Sequence, residues 1–504
     1  MKPSFNLSDI ALIMLRIRPI LTAGMLLQAS QAPAQAAEAS GFESRLRRAV
    51  VFTARPLERF TVAERMAHYR VPGASVAIIE NCRVAETRGF GVLHTGGPAV
   101  TPDTLFQAAS ISKPVTAFAA LRLVERGQLS LDEDVRPRLT SWTLPESPFL
   151  TGHPITLRRL LSHSAGLNVG GFGGYRPGDP QPNVRQILDG EPPANNDAVR
   201  VQAVPGTQWR YSGGGYVVAQ LLMTDVAQRP FPDLMRELVL SPAGMNDSFY
   251  AASLPADSES RTAWGHGISG EAIAGKWHFY PELGAASLWT TSGDVARFAI
   301  AVMQADRGTA GALLHRPLAS DMLTAQIAER GLGPIVQGEG RARSFSHGGT
   351  NEGFQAMMIA YPETCQGAVV MANGDNGRPL INEVLRAVAD RYRWPDPWAS
   401  AEAAAVALTP AMADRYVGTY QVVHRPDTQL EIVGDGNGGL GFRWIGRLTT
   451  SQREMLLAIP GGLIAPDSGL VLSAPAGGGP APSLTYSVGA GQTRQVTRVA
   501  RPEG

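Results

Sequence analysis

From Gly73 to Leu93 the chain runs through the β-branched stretch Ala74-Ser75-Val76-Ala77-Ile78-Ile79, turns at Glu80-Asn81 and returns through Val84 and Phe90. Alternation of this kind on two arms about a polar turn predicts a hairpin. A second hairpin is predicted over Gly353 to Tyr361 and Gly367 to Asn373, about a turn at Pro362-Glu363-Thr364. Between the two, Leu105 to Arg343 follow mostly helical spacing, broken by Gly-rich and Pro-rich loops such as Asn168 to Pro182. Strands at both ends of a segment and helices between imply one sheet assembled from the two termini. The expected class is α/β (α+β): an antiparallel sheet flanked by helices with a helical insertion, over residues 45–396. Pro397 to Ala411 are Ala-rich and weakly patterned and read as a linker. Beyond them Tyr416 to Tyr420, Leu430 to Val433 and Leu440 to Trp444, with the glycine-rich turn Gly434 to Gly439, predict a small C-terminal antiparallel β domain over 412–504.

The N-terminus changes the cellular picture. Apolar runs at Ile10 to Leu15 and Ile20 to Leu27 are interrupted by Arg16 and Arg18 and followed by a small-residue stretch ending Ala34-Gln35-Ala36. Read from a start at Met14, this is an export signal ending at Ala36, so residues 1–36 are expected to be removed and the protein to be periplasmic or secreted. The rival is an uncleaved membrane anchor, against which the second run is short for a bilayer. No later segment has 18 uninterrupted apolar residues, so no stable membrane span is expected after cleavage.

At 504 residues, net charge +1 and 44% hydrophobic residues, the chain is long enough for two or three domains. It carries no basic patch for nucleic acid. Its two cysteines, Cys82 and Cys365, are too few for a disulfide scaffold or a four-ligand zinc site, though in an exported protein they can pair. Nine histidines show no His-Glu-x-x-His spacing, so no metal is expected. A Gly-x-Ser-x-Gly elbow is also missing, which counts against an ordinary α/β-hydrolase.

The 45 basic residues include only three lysines, Lys2, Lys113 and Lys276. An ammonium can lose its proton in a protein where a guanidinium cannot, so a lysine in so arginine-biased a chain asks for a chemical reason. Lys113 follows Ser110 by three residues. Val115, Phe118, Leu121 and Leu123-Val124 recur at helical spacing, with Gly127 as a stop, which predicts a helix starting at Ser110. Positions i and i+3 share a face, so hydroxyl and amine can meet, and Pro114 is tolerated in a first turn. The positive end of the helix favours an alkoxide at Ser110 and opposes an ammonium at Lys113.

Three further segments place small or polar residues where a core would want apolar ones: Leu160-Leu161-Ser162-His163-Ser164-Ala165-Gly166-Leu167, Trp209-Arg210-Tyr211-Ser212-Gly213-Gly214-Gly215-Tyr216, and His347-Gly348-Gly349-Thr350. Taken in order with the Ser110 segment, over roughly residues 50 to 395, they make the chain resemble the serine β-lactamase and penicillin-binding-protein superfamily. The match is closest to its class C and D-aminopeptidase-like branch. The resemblance implies that Ser110 is the acylated nucleophile and Lys113 its partner, matching Ser-x-x-Lys. It makes Tyr211 the proton relay of the Tyr-x-Asn element. A phenol is a poor base at neutral pH unless a cation stands beside it, and Lys113 could supply one. His347-Gly348-Gly349 match Lys-Thr-Gly, and the amides of Thr350 and Ser110 would form the oxyanion hole.

Two departures matter. Gly213 stands where the family has Asn, so the side-chain amide that holds a substrate carbonyl is missing. His347 stands where β-lactamases have Lys, a weaker clamp for a β-lactam carboxylate. Both suit a D-aminopeptidase, DD-peptidase or esterase better than an efficient β-lactamase. The family fold also pairs its first strand with its last, which brings Cys82 and Cys365 together and implies a disulfide.

Other polar residues take blander roles. His163 is expected to be structural, since adjacent residues on a helix face apart. Glu282 and Trp289 are expected to shape the pocket floor, and Lys276 to be a solvated loop residue. The expected protein is an exported serine hydrolase acting through an acyl-enzyme on a small-molecule or peptide substrate, with no cofactor. D-amino-acid peptides or amides and small esters lead, with slow β-lactam acylation as a side reaction. The rival is a catalytically silent binder or sensor of peptidoglycan peptides, or of other peptides, that uses the same pocket.

Overall fold

A computed structural model describes residues 41–499 except 396–397, 424, 447–449 and 489–492. The export signal read over 1–36, with its start at Met14, lies outside the described residues.

The two hairpins supply four neighbouring strands of a six-stranded antiparallel sheet. Its order is Arg83–Gly91, Gly73–Glu80, Gln366–Ala372, Phe354–Tyr361, Ser344–Asn351 and Ile335–Gln337. The strand Gly73–Glu80 pairs antiparallel with Gln366–Ala372, with Val76 opposite Val370. Its nearly unbroken apolar run reflects burial on both faces. Ala77 and Ile79 pack with Val369 and Met371 in one core, while Val76 and Ile78 pack with Ala368 and Val370 in another. Each of these isoleucines is fully buried, worth roughly 1.5–3 kcal/mol apiece.

The second of those cores lies under the helix Gly377–Tyr392. Its residues Leu380, Ile381, Val384, Leu385 and Val388 recur at helical spacing and are all buried. The first core holds the helical insertion, chiefly Ser112–Glu125, Gly213–Ala227 and Ser292–Asp306. A three-stranded sheet of Phe106–Ala109, Leu288–Thr290 and Phe249–Tyr250 stands within it.

Two turns differ from the sequence expectation by a residue or so. The first hairpin turns at Asn81-Cys82, not Glu80-Asn81, because Glu80 pairs with Arg83 and both turn residues adopt left-handed backbone, φ 53° and 56°. The second hairpin extends its turn to Cys365, with Tyr361 opposite Gln366. The two turns lie side by side: Cys82 N donates to the Cys365 carbonyl over 3.1 Å, and the two cysteines form a disulfide.

The stretch read as a linker holds a short strand and the start of a helix among its described residues. Ala401–Ala403 pairs in parallel with Val50–Phe52, and a helix Pro410–Tyr416 begins inside it, capped by Thr409. This stretch lacks apolar periodicity because its strand is short and pairs with only one neighbour. The C-terminal β region closes into an eight-stranded antiparallel barrel from Gly418–Val422 to Arg494–Arg498 around Tyr420, Leu430, Ile432, Leu463, Leu472 and Val496. Tyr416 ends the preceding helix and is not part of the first strand. Arg65 joins barrel to sheet domain, bonding Glu383 at 2.7 Å and the barrel's Asp467 at 2.9 Å, and His68 Nε2 meets Asp467 at 2.8 Å.

Candidate active site

Ser110 sits in a tight turn between the strand Phe106–Ala109 and the helix Ser112–Glu125. The helix was expected to begin at Ser110; it begins two residues later, with Ile111 at the N-cap. Ala109 adopts φ 50°, a left-handed conformation uncommon for alanine, and so turns the chain sharply before the serine. Ser112 locks the turn, donating to the Ala109 carbonyl at 2.6 Å and accepting from Leu288 N at 3.0 Å. The Ser110 amide donates no hydrogen bond among the described residues and is free to meet a developing oxyanion.

Lys113, in the first helical turn, is almost wholly buried. Its Nζ lies 3.0 Å from Ser110 Oγ and 2.8 Å from the Ala285 carbonyl, and it forms no ion pair with a carboxylate among the described residues. Nζ also stands 5.0 Å from the centre of the Tyr211 ring. The Tyr211 hydroxyl makes no hydrogen bond among the described residues. The structure thus brings nucleophile and amine into direct contact and sets the tyrosine beside them.

Tyr211 is held by stacking. His163 packs on it with ring centroids 4.3 Å apart, and His163 Nδ1 accepts from Ser212 N at 3.0 Å. Burial, then Lys113 and His347, push the His163 imidazole well below its ordinary range, so it is neutral. His163 lies past the end of the helix Leu157–Leu161, in left-handed backbone, φ 59°, and not on a helix face as expected. Its contacts make it a positioning residue for Tyr211.

Gly213 opens the helix Gly213–Ala227 behind the N-cap Ser212. A Cβ there would lie 2.8 Å from the Phe172 ring, so an asparagine would collide with that ring. Phe172 belongs to the glycine-rich loop Asn168 to Pro182, and the loop and the missing side chain therefore go together.

The strand Ser344–Asn351 forms the third wall. Ile335–Gln337 pairs only with Ser344 to Ser346, which leaves the outer edge from His347 to Asn351 without a partner strand among the described residues. Gly349 crosses Ala108 so closely that a Cβ would lie 2.1 Å from its carbonyl oxygen, and a Cβ on Gly348 would lie 2.9 Å from the Arg378 guanidinium. Thr350 is exposed on this edge, its hydroxyl donating to Gln355 Oε1 at 2.9 Å. His347 is buried, with Nδ1 2.7 Å from the Gly348 carbonyl. Burial first, and the charge of Lys113 next, lower its pKa to about 3. It is neutral at physiological pH and cannot act as a cationic clamp.

Several residues here escaped the sequence reading. Asn351 Nδ2 donates to Gln107 Oε1 at 2.6 Å and to the Ala286 carbonyl at 3.1 Å, tying the edge strand to the strand before Ser110. The signal for Gln107 is its polarity inside the apolar strand Phe106–Ala109; Asn351 ends a strand of mostly polar residues and carries none. Arg330 and Arg378 both bear on His347, but each sits far from it in sequence with no motif around it.

Two expectations concerned neighbouring residues. Lys276 is not simply solvated: it pairs with Glu259 at 2.5 Å and lies 5.0 Å over the Trp264 ring. Trp289 is buried edge-on against Trp277 and Phe354. Glu282 is fully buried, neither carboxyl oxygen has a hydrogen-bond partner among the described residues, and burial raises its pKa to about 8.

A serine, a buried amine, an aromatic hydroxyl and an open-edged strand on this scaffold are matched by a family profile described as Beta-lactamase, over residues 59–392. The chain belongs to the Beta-lactamase family. As a member it is a serine hydrolase. Among its relatives, Penicillin-binding protein 4 of Amycolatopsis lactamdurans is 26% identical over 351 residues, 65% of this chain and 87% of that protein. Esterase EstB of Burkholderia gladioli is 28% identical over 209 residues, 37% of this chain and 49% of that protein. The octameric penicillin-binding protein homologue from Pyrococcus abyssi superposes with TM-score 0.58 at 20% identity, covering 86% of this chain and 98% of that one. That last likeness concerns the fold alone.

Proposed function

We propose that this Beta-lactamase-family member is an exported serine hydrolase that cleaves amide or ester bonds of D-amino-acid peptides, amides or small esters through an acyl-enzyme. The observation that carries the reading is the 3.0 Å contact between Lys113 Nζ and Ser110 Oγ. Ser110 Oγ attacks the substrate carbonyl carbon as its proton passes towards Lys113 and Tyr211. The free Ser110 amide, with that of Thr350, receives the negative oxygen. Collapse of the tetrahedral intermediate expels the amine or alcohol, which takes the proton back, and water then attacks the acyl carbon to release Ser110.

Neutral His347 and side-chain-free Gly213 support ester and amide turnover over efficient β-lactam hydrolysis. A charged clamp and a carbonyl-holding amide are both missing at those positions. The relative named an esterase is consistent with this. The Cys82–Cys365 disulfide supports export, since such bonds persist in oxidising compartments.

The test is a parallel panel of D-amino-acid amides, p-nitrophenyl esters and a chromogenic cephalosporin, with fluorophosphonate labelling read by intact mass. Turnover of amide or ester and an adduct, both lost in Ser110→Ala, are expected. No adduct and no turnover would make the protein a silent peptide binder.

A further inference from the structure

Between Asn168 and Tyr175 the chain reads Val169-Gly170-Gly171-Phe172-Gly173-Gly174, one aromatic ring set among glycines. Both ends of this strap are tied down. At the first, the Asn168 carbonyl accepts from Ser212 Oγ at 2.7 Å and the Val169 carbonyl from Gly214 N at 3.0 Å. At the second, Tyr175 and Phe279 exchange backbone hydrogen bonds at 2.8 and 2.7 Å, and Asn195 Nδ2 donates to the Gly174 carbonyl at 2.8 Å. Between the ties Gly170 and Gly171 are exposed while Phe172 is buried, so the strap lies on the surface and turns one ring inward.

Strained backbone sets that turn. Val169 is β-branched yet adopts φ 60°, a left-handed state such residues rarely enter. Conformations of this kind persist only where their surroundings fix them, and they gather at functional sites. Here the bonds from Ser212 and Gly214 fix it. The Phe172 ring comes to rest against Gly213, two residues after Tyr211, in the space a side chain there would take.

The course of the strap decides which part of a substrate it meets. In the proposed reaction the carbonyl oxygen goes to the amides of Ser110 and Thr350, and the leaving group lies by the Tyr211 hydroxyl. The acyl chain takes the remaining direction. From Gly213 the strap runs to His278, whose Nδ1 stands 3.2 Å from the Gly173 carbonyl. The His278 carbonyl in turn accepts from Gln107 Nε2 at 2.7 Å, three residues before Ser110. The strap thus closes the wall between the Tyr211 turn and the strand that delivers Ser110, which is the side left for the acyl chain.

We infer that Phe172, held inward by the strap, is the residue that limits the size of the acyl group. It leaves room for a group of acetyl or alanyl size and none for an aromatic one. This rests on the hydrolase reading of the same cleft, and narrows its D-amino-acid and ester substrates to those with a small acyl side chain.

Two esters test it: 4-nitrophenyl acetate and 4-nitrophenyl phenylacetate, which share the leaving group and differ by one acyl ring. Wild type is expected to favour the acetate in kcat/KM by about fiftyfold, and Phe172→Ala to cut that ratio by about tenfold, with Phe172→Leu between. D-alanine and D-phenylalanine 4-nitroanilides are expected to follow the same order. Each variant is judged by a ratio on one preparation, so partial loss of folded protein does not move it. Phenyl and 1-naphthyl acetate, which differ only in the leaving group, should keep their ratio in both variants. No preference for acetate in wild type, an unchanged acyl ratio in Phe172→Ala, or a leaving-group ratio that moves more than the acyl ratio would each overturn the inference. If neither nitrophenyl ester is turned over, the hydrolase reading fails on its own, and calorimetric binding of phenylacetamide then decides about Phe172. Affinity for Phe172→Ala at least about tenfold above that for wild type supports the size limit, and any smaller difference refutes it.

Discussion

The amine of Lys113 and the hydroxyl of Ser110 stand 3.0 Å apart, with the amine pinned from the other side by the Ala285 carbonyl at 2.8 Å. Lys113→Arg keeps the charge and removes the group able to take a proton. Fluorophosphonate acylation should slow on the order of a thousandfold, with a melting temperature close to wild type. A labelling rate near wild type would remove Lys113 from the chemistry.

Gly213→Asn restores the family residue but drives a side chain against Phe172, whose ring lies 2.8 Å from the added Cβ. Overpacking of this kind costs about 1–3 kcal/mol. Denaturant unfolding should show that loss, and the penalty should shrink in a Phe172→Leu background. An additive double-mutant cycle would separate the two residues.

The Cys82–Cys365 bond closes a loop spanning 283 residues. In the chain-entropy description it stabilises by about 5 kcal/mol. Replacing both cysteines by alanine should lower the denaturant midpoint accordingly, and an unchanged midpoint would show that the unfolded chain gains no freedom from the cut.

Glu282 gives stability a pH dependence. In the unfolded chain its carboxyl ionises near 4.5, while in the fold it keeps its proton to about 8. Between those values only the native state holds the proton, so stability falls as pH rises, by at most about 1.4 kcal/mol per unit. Glu282→Gln should therefore melt higher than wild type at pH 8.5 and close to it at pH 4.5.

His347 works in the opposite direction. Its ring titrates near 6.5 unfolded and about 3 folded, so below pH 6.5 the unfolded chain binds a proton that the native state refuses. Stability falls as pH drops through that window, and buried His163 adds to the same slope. His347→Asn should make the acid limb of a melting-temperature profile shallower.

The elements legible in the sequence are those whose cause is local. Alternation in Ala74 to Ile79 marks a strand, and the scarcity of lysine singles out Lys113 beside Ser110. What stayed hidden depends on segments meeting across the fold. The true start of the helix at Ser112 follows from the left-handed turn at Ala109, which no residue type announces. Phe172 explains Gly213 only once the glycine-rich loop is folded over it. The linker reading failed to anticipate a strand because Ala401–Ala403 is ordered by a partner, Val50–Phe52, some 350 residues earlier.

The pairing of Gly73–Glu80 with Gln366–Ala372 has a consequence for synthesis. Gly73–Glu80, an interior strand of the sheet, is made well before Gln366–Ala372, which emerges only after the whole helical insertion. Until then the run Val76 to Ile79 presents an open, apolar edge to anything that can add a strand. A nascent chain of this protein should therefore depend on holdase chaperones until residue 372 has been translated, and ribosome-stalled lengths short of it should aggregate more readily than those beyond it.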